Sequence, residues 1–126
     1  MSRALDELHP RFKPAAFELL ARFCEAGIPV VVVTTSRTQA EQDDAVARGV
    51  SWTSHSKHLS GLAMDVCPFD TYALHGPDKL KWDDSDPVWQ DLGAIAKKYL
   101  PTLKWGVHFR DGRHGDLGHF EWPEWF

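Results

Sequence analysis

Two short runs of this chain gather residue types that bind metals and move protons. The first, Ser56 to Val66, sets His58 and Asp65 on either side of Gly61 at the head of an apolar stretch. An odd number of residues apart on a straight strand, the two side chains would face opposite ways. A bend at Gly61 lets them converge instead, and imidazole nitrogen and carboxylate oxygen are both common zinc ligands. The same spacing also suits a loop histidine and a strand-end aspartate with no shared role. The second run, Asp116 to Trp122, places His119 among aromatics with an acid three residues before it. A catalytic zinc takes three protein ligands and keeps one position open, and His58, Asp65 and His119 supply such a set. Asp116 is then left over as a candidate general base for a hydrolase. Taken alone, it equally suits a turn before a strand.

A third run, Ser36-Arg37-Thr38 through Glu41-Gln42, follows a β-branched stretch. Together the three runs resemble the signature of the zinc peptidase family that contains D-alanyl-D-alanine carboxypeptidases and phage L-alanyl-D-glutamate endopeptidases, which shares its fold with the Hedgehog signalling domain. The family pattern Ser-x-His-x-x-Gly-x-Ala-x-Asp is matched by Ser56, His58, Gly61, Ala63 and Asp65. Its Asp/Glu-x-x-His after a Trp-Gly pair is matched by Asp116 and His119 after Trp105-Gly106, and its Arg-[Ser/Thr]-x-x-Glu-Gln by the third run. The matches extend from about residue 28 to 122 in the family's order.

The resemblance implies that His58, Asp65 and His119 hold Zn2+. It implies that Asp116 takes a proton from the attacking water and passes it to the leaving amine, and that Arg37 holds the substrate carbonyl or the developing oxyanion. Ser56, His108 and Glu121 are weaker candidates for contact with the substrate or with a ligand histidine. Glu121 belongs to the matched His-Phe-Glu run and has the chemistry to orient His119. The chain departs from the family at Trp105-Gly106-Val107-His108-Phe109, where Trp-Gly-Gly-x-Trp is common. This alters the expected aromatic wall of the substrate pocket. His114, like His108, suits either a contact with the substrate or a ligand, or a plain turn. His55 reads as a turn residue, and the tryptophans as core and cleft lining, with Trp122 and Trp125 as candidate wall contacts.

The elements that must position these residues are legible in outline. Phe17, Leu20, Phe23 and Cys24 recur at helical spacing and predict a helix from Pro14 to Ala26, with Cys24 in the core and Gly27 as its stop. Residues 28–35 predict a buried strand. Thr38 and Glu41 have the form of a capping box opening a short helix that Gly49 can end. Residues 50–61 read as loop, 62–69 as a second strand, and 70–86 as an irregular rim or lid. Asp86-Pro87 opens a helix with Val88, Leu92, Ile95, Ala96 and Tyr99 on one face, stopped by Pro101. Residues 103–122 read as two short strands around a turn. The order is that of an α+β domain, and the resemblance makes it a small antiparallel sheet flanked by helices, as in the Hedgehog/DD-peptidase fold.

At 126 residues, 43% hydrophobic and 25% charged, the chain has the composition of one globular domain, with no separate wall-binding domain expected. Its net charge of −4 comes with scattered rather than clustered Lys and Arg, which argues against nucleic acid as a partner. No apolar run is long enough to span a membrane, and no secretory leader is evident at the start. The expected partner is a peptidoglycan peptide substrate, and the expected state a monomer. The function that the resemblance implies is a metallopeptidase of peptidoglycan stem peptides. A phage endolysin cutting L-alanyl-D-glutamate bonds is favoured, made in the host cytoplasm and reaching the wall through a holin pore. The alternatives are a D,D- or L,D-carboxypeptidase or dipeptidase of the same family, or a non-catalytic zinc-stabilised binding domain. The last has no need of an acid at Asp116.

Overall fold

The structure is a computed structural model and describes residues 2–49, 56–70, 80–106 and 117–125. Among these are three helices and a four-stranded antiparallel sheet, the α+β arrangement expected. The helices are α1 (Lys13–Glu25), α2 (Gln39–Ala47) and α3 (Val88–Tyr99). The strands are β1 (Val30–Thr34), β2 (Ala63–Pro68), β3 (Lys104–Trp105) and β4 (His119–Glu121). Across the sheet the order is β1-β2-β4-β3, so the two longest strands lie side by side and β4 is inserted between β2 and β3. No described helix is long and apolar enough to cross a membrane.

Alternation along the strands divides their side chains between two environments. Met64 of β2 lies opposite Phe120 of β4, and both are fully buried with Val66. Phe120 meets Phe23 of α1 with ring centroids 5.8 Å apart. Ala63, Asp65, His119 and Glu121 occupy the alternate positions, with Asp65 directly opposite His119 and Ala63 opposite Glu121. The core beneath the first set comes from Phe12, Ala16, Leu19 and Phe23 on the α1 side and from Trp89, Leu92 and Ala96 of α3.

The buried stripe of α1 is rotated from the one expected. Phe17 is 47% exposed and Cys24 is on the surface, while Phe12, Ala16, Leu19 and Phe23 point inward at a helical repeat. Apolar residues occur on both faces of this helix, so periodicity alone had two solutions, and packing against Phe120 selects one. In α3 the inward face is Trp89, Leu92, Gly93 and Ala96, with Tyr99 exposed rather than buried. Gly93 is required there, because a Cβ would fall 2.3 Å from the Trp105 ring. The α2 capping box forms as read: Glu41 N–H donates to Thr38 Oγ1 at 3.2 Å and Thr38 N–H to Glu41 Oε1 at 3.0 Å. Such a cap contributes about 1 kcal/mol.

Both cysteines are free. Burial pushes the Cys67 thiol up to about 11, against a backbone hydrogen bond from Lys81 that lowers it. A disulfide-type thiol reagent at pH 8 should therefore label Cys24 in the native protein and Cys67 only after denaturation. Native labelling of Cys67 at a comparable rate would contradict this packing.

Candidate metal centre

Three local features bring the predicted ligands together. A β-bulge in β1 puts Val32 opposite Val66 but Thr34, not Val33, opposite Asp65. This extra residue re-aims the end of the strand, so that Thr34, Asp65 and His119 form one row across β1, β2 and β4. A 3-10 turn, Lys57–Ser60, carries His58 and ends at Gly61, whose φ of 68° reverses the chain into β2. Glycine is needed at Gly61 both for that left-handed conformation and because a Cβ would lie 2.7 Å from the Glu7 carbonyl oxygen. Ser56 caps the turn, its Oγ accepting from His58 N–H at 3.2 Å. Finally, Gly118 lets β4 close on β2: its carbonyl accepts from Val66 N–H at 2.9 Å, and a Cβ there would meet the Val66 carbonyl oxygen at 2.2 Å.

His58, Asp65 and His119 converge, each offering one ligand atom, with all of those atoms within 4.8 Å of one another. Asp65 sits between the two imidazoles. Its Oδ2 is 3.0 Å from His58 Nε2 and its Oδ1 is 2.8 Å from His119 Nδ1. The opposite nitrogen of each ring also faces an oxygen: His58 Nδ1 lies 3.5 Å from the Thr35 carbonyl, and His119 Nε2 lies 2.9 Å from Glu121 Oε1. The rings meet edge to face, with centroids 5.1 Å apart.

This arrangement has more acceptors than protons. Two neutral imidazoles carry one N–H each, yet all four ring nitrogens face oxygen. Despite its short separation from Asp65, His58 Nε2 lacks hydrogen-bond alignment and is a buried nitrogen with no hydrogen-bond partner. Buried polar atoms are rarely left so. A divalent cation among His58 Nε2, Asp65 and His119 Nδ1 would use the surplus lone pairs directly, with each ring's remaining N–H donating to Thr35 or Glu121. The donor set therefore fits a metal, and two imidazoles with one carboxylate suit zinc.

Electrostatics agree in direction. Burial raises the Asp65 carboxyl, but the electrostatic pull of His58 and the hydrogen bond from His119 outweigh it and hold the group far below the usual carboxylate range. Glu121 is also lowered: burial opposes its ionisation, and the His119 hydrogen bond and the Lys57 ammonium together exceed that cost. Both acids thus stay ionised at neutral pH.

Arg37 stands at the edge of the triad, its Nη2 3.9 Å from Asp65 Oδ2. Its Nη1 donates to Gln42 Oε1 at 2.9 Å, and its backbone N–H to the His58 carbonyl at 3.2 Å. Of the other predicted residues, Ser56 is structural support for the His58 turn and Glu121 lies directly against His119. Asp116 and His108, with His55 and His114, fall outside the described residues. Sequence reasoning assigned no role to Gln42 or Lys57. Gln42 is wholly buried under Arg37, and Lys57 lies 3.0 Å from Glu121 Oε2. Both belong to runs that carry the family resemblance, but nothing in their types announces burial.

The family model for phage L-alanyl-D-glutamate peptidase matches residues 2–118. Among solved structures, the chain is similar to the Serratia marcescens L-Ala D-Glu endopeptidase ChiX. The TM-score is 0.71 at 20% identity, over 94% of this chain and 82% of that one. It is also similar to a mutant of the vancomycin-resistance D,D-pentapeptidase VanY from a VanB-type cassette, in complex with Zn(II). There the TM-score is 0.59 at 16% identity, over 91% and 72% of the two chains. At these identities the likenesses establish a shared fold. No curated protein sequence matches the chain.

Zinc should raise the melting temperature of the metal-free protein, by an amount equivalent to about 4 kcal/mol at a free concentration a thousand times Kd. Calorimetry of Asp65→Asn and His119→Ala should show this increment sharply reduced, because each variant binds zinc through two ligands in place of three. Full zinc stabilisation of both variants would place the metal elsewhere.

Proposed function

The chain belongs to the phage L-alanyl-D-glutamate peptidase family, and from that membership we propose that it is a zinc metallopeptidase that hydrolyses the L-alanyl-D-glutamate bond of peptidoglycan stem peptides. The observation that carries the reading is the surplus of acceptors around His58, Asp65 and His119, with a buried His58 nitrogen left without a hydrogen bond. A zinc ion held by these three residues supplies Lewis acidity to the scissile carbonyl and to water. The zinc-containing neighbour has the same fold, and the endopeptidase neighbour acts on the bond proposed here.

The chain's own residues divide the remaining work. Arg37, steadied by Gln42, presents a guanidinium next to the triad, where it stabilises negative charge developing on the carbonyl oxygen. Asp116 is assigned the general base. It takes a proton from the attacking water as the C–O bond forms, and passes it to the glutamate nitrogen as the C–N bond breaks. Hydrolysis leaves a free alanine carboxylate and a new N-terminal D-glutamate. An endolysin role, with passage to the wall through a holin pore, is part of the same proposal.

Purified peptidoglycan digested with the recombinant protein should release fragments bearing N-terminal D-Glu by mass spectrometry, and a chelator should abolish their release. Free D-Ala in their place would move the assignment to a carboxypeptidase, and no cleavage by zinc-loaded, folded protein would overturn the catalytic reading. Arg37→Ala should lower kcat/KM by roughly 10²–10³-fold with zinc still bound. An unchanged kcat/KM would remove Arg37 from the chemistry.

A further inference from the structure

Behind His119, on the side away from Asp65, lies a buried ion pair that the hydrolytic scheme does not use. Lys57 has only 5% of its side chain exposed, and its Nζ is 3.0 Å from Glu121 Oε2. The other carboxylate oxygen, Oε1, accepts from His119 Nε2 at 2.9 Å. Lys57 also donates to the Trp122 carbonyl, and its ammonium lies 5.2 Å from the centre of the Trp125 ring. A lysine so enclosed needs a partner to offset its desolvation, and Glu121 is that partner.

We propose that Lys57 is a positioning residue for the metal centre, acting through Glu121 to fix the tautomer and orientation of His119. The proposal rests on the metal reading of the triad. Glu121 is two residues from His119 on the same side of β4, so its carboxylate reaches the ring. Lys57 engages one oxygen and thereby turns the other toward Nε2. A carboxylate at Nε2 selects the Nε2–H tautomer and leaves the Nδ1 lone pair directed at the ligand position beside Asp65. The Lys57-His58 dipeptide thus serves the centre twice. His58 faces the metal position from one side, and Lys57, through Glu121, holds the second histidine at its opposite nitrogen. The short turn capped by Ser56 keeps the two side chains in fixed relation.

The test is a double-mutant cycle read as zinc affinity, by competition with a chromophoric chelator, and as the visible absorption of the cobalt-substituted protein. Glu121→Gln should weaken zinc binding by roughly 10–100-fold. Lys57→Met should weaken it by about tenfold and perturb the cobalt bands. The double variant should bind no more weakly than Glu121→Gln alone, because both changes break one chain of contacts. Lys57→Arg, which keeps the ion pair, should recover most of the affinity. A lysine that only pins the C-terminal segment would lower the melting temperature of the metal-free protein and leave the affinity and the cobalt spectrum unmoved. That result, or losses that multiply in the double variant, would overturn the proposal. Should Lys57→Met not fold, Lys57→Gln takes its place in the cycle with the same outcomes. Wild-type protein that binds no zinc would defeat the metal reading itself, whereas normal wild-type binding with an unaffected lysine variant would defeat only the role of Lys57.

Discussion

A carboxylate buried between two imidazoles, each of which already faces another oxygen, is a poor arrangement for protons and a good one for a cation. Asp65 is in that position, with His58 and His119 within 3.0 Å of its two oxygens. Bringing such groups out of water is costly unless charge is shared among them, and the residues around the site are arranged to share it. Thr35 and Glu121 take the outer nitrogens, Lys57 balances Glu121, and Arg37 lies 3.9 Å from Asp65. The polar chain extends from the first turn of α2, through the triad, to the C-terminal segment. Each member is placed by a neighbour that also belongs to it.

The scaffold turns this polar constraint into geometry. The apolar positions of β2 and β4 lock onto α1 and α3 through Met64, Val66 and Phe120, which leaves the alternate positions free for the site. A one-residue slip of β4 against β2 would exchange the faces of β4, turning Phe120 to the site and His119 and Glu121 toward the core. Register and chemistry are therefore held by the same contacts. Gly61 and Gly118 mark the two places where backbone must come too close for any side chain. One precedes β2 and the other immediately precedes His119.

Much of this was legible in the residues. The metal-ligand types, their order and the glycine between His58 and Asp65 pointed to one centre, and the Thr38-Glu41 cap and both longer strands lie where propensity put them. The inward face of α1 was not legible, because Phe17 and Cys24 are as apolar as the residues that are buried, and only tertiary packing separates them. The β1 bulge was equally hidden, since a run of valines reads the same with or without an extra residue. Gln42 and Lys57 have the composition of a helix surface and a loop. Their burial follows from what lies across from them, Arg37 and Glu121, at sequence separations that no local pattern reports.

The most direct test of the metal assignment is X-ray absorption at the zinc edge of the zinc-loaded protein. The predicted spectrum has only nitrogen and oxygen neighbours at about 2.0–2.1 Å, with the outer-shell scattering of two imidazoles that becomes one in His119→Ala. A sulfur neighbour, or a spectrum unchanged in that variant, would contradict a centre built from His58, Asp65 and His119.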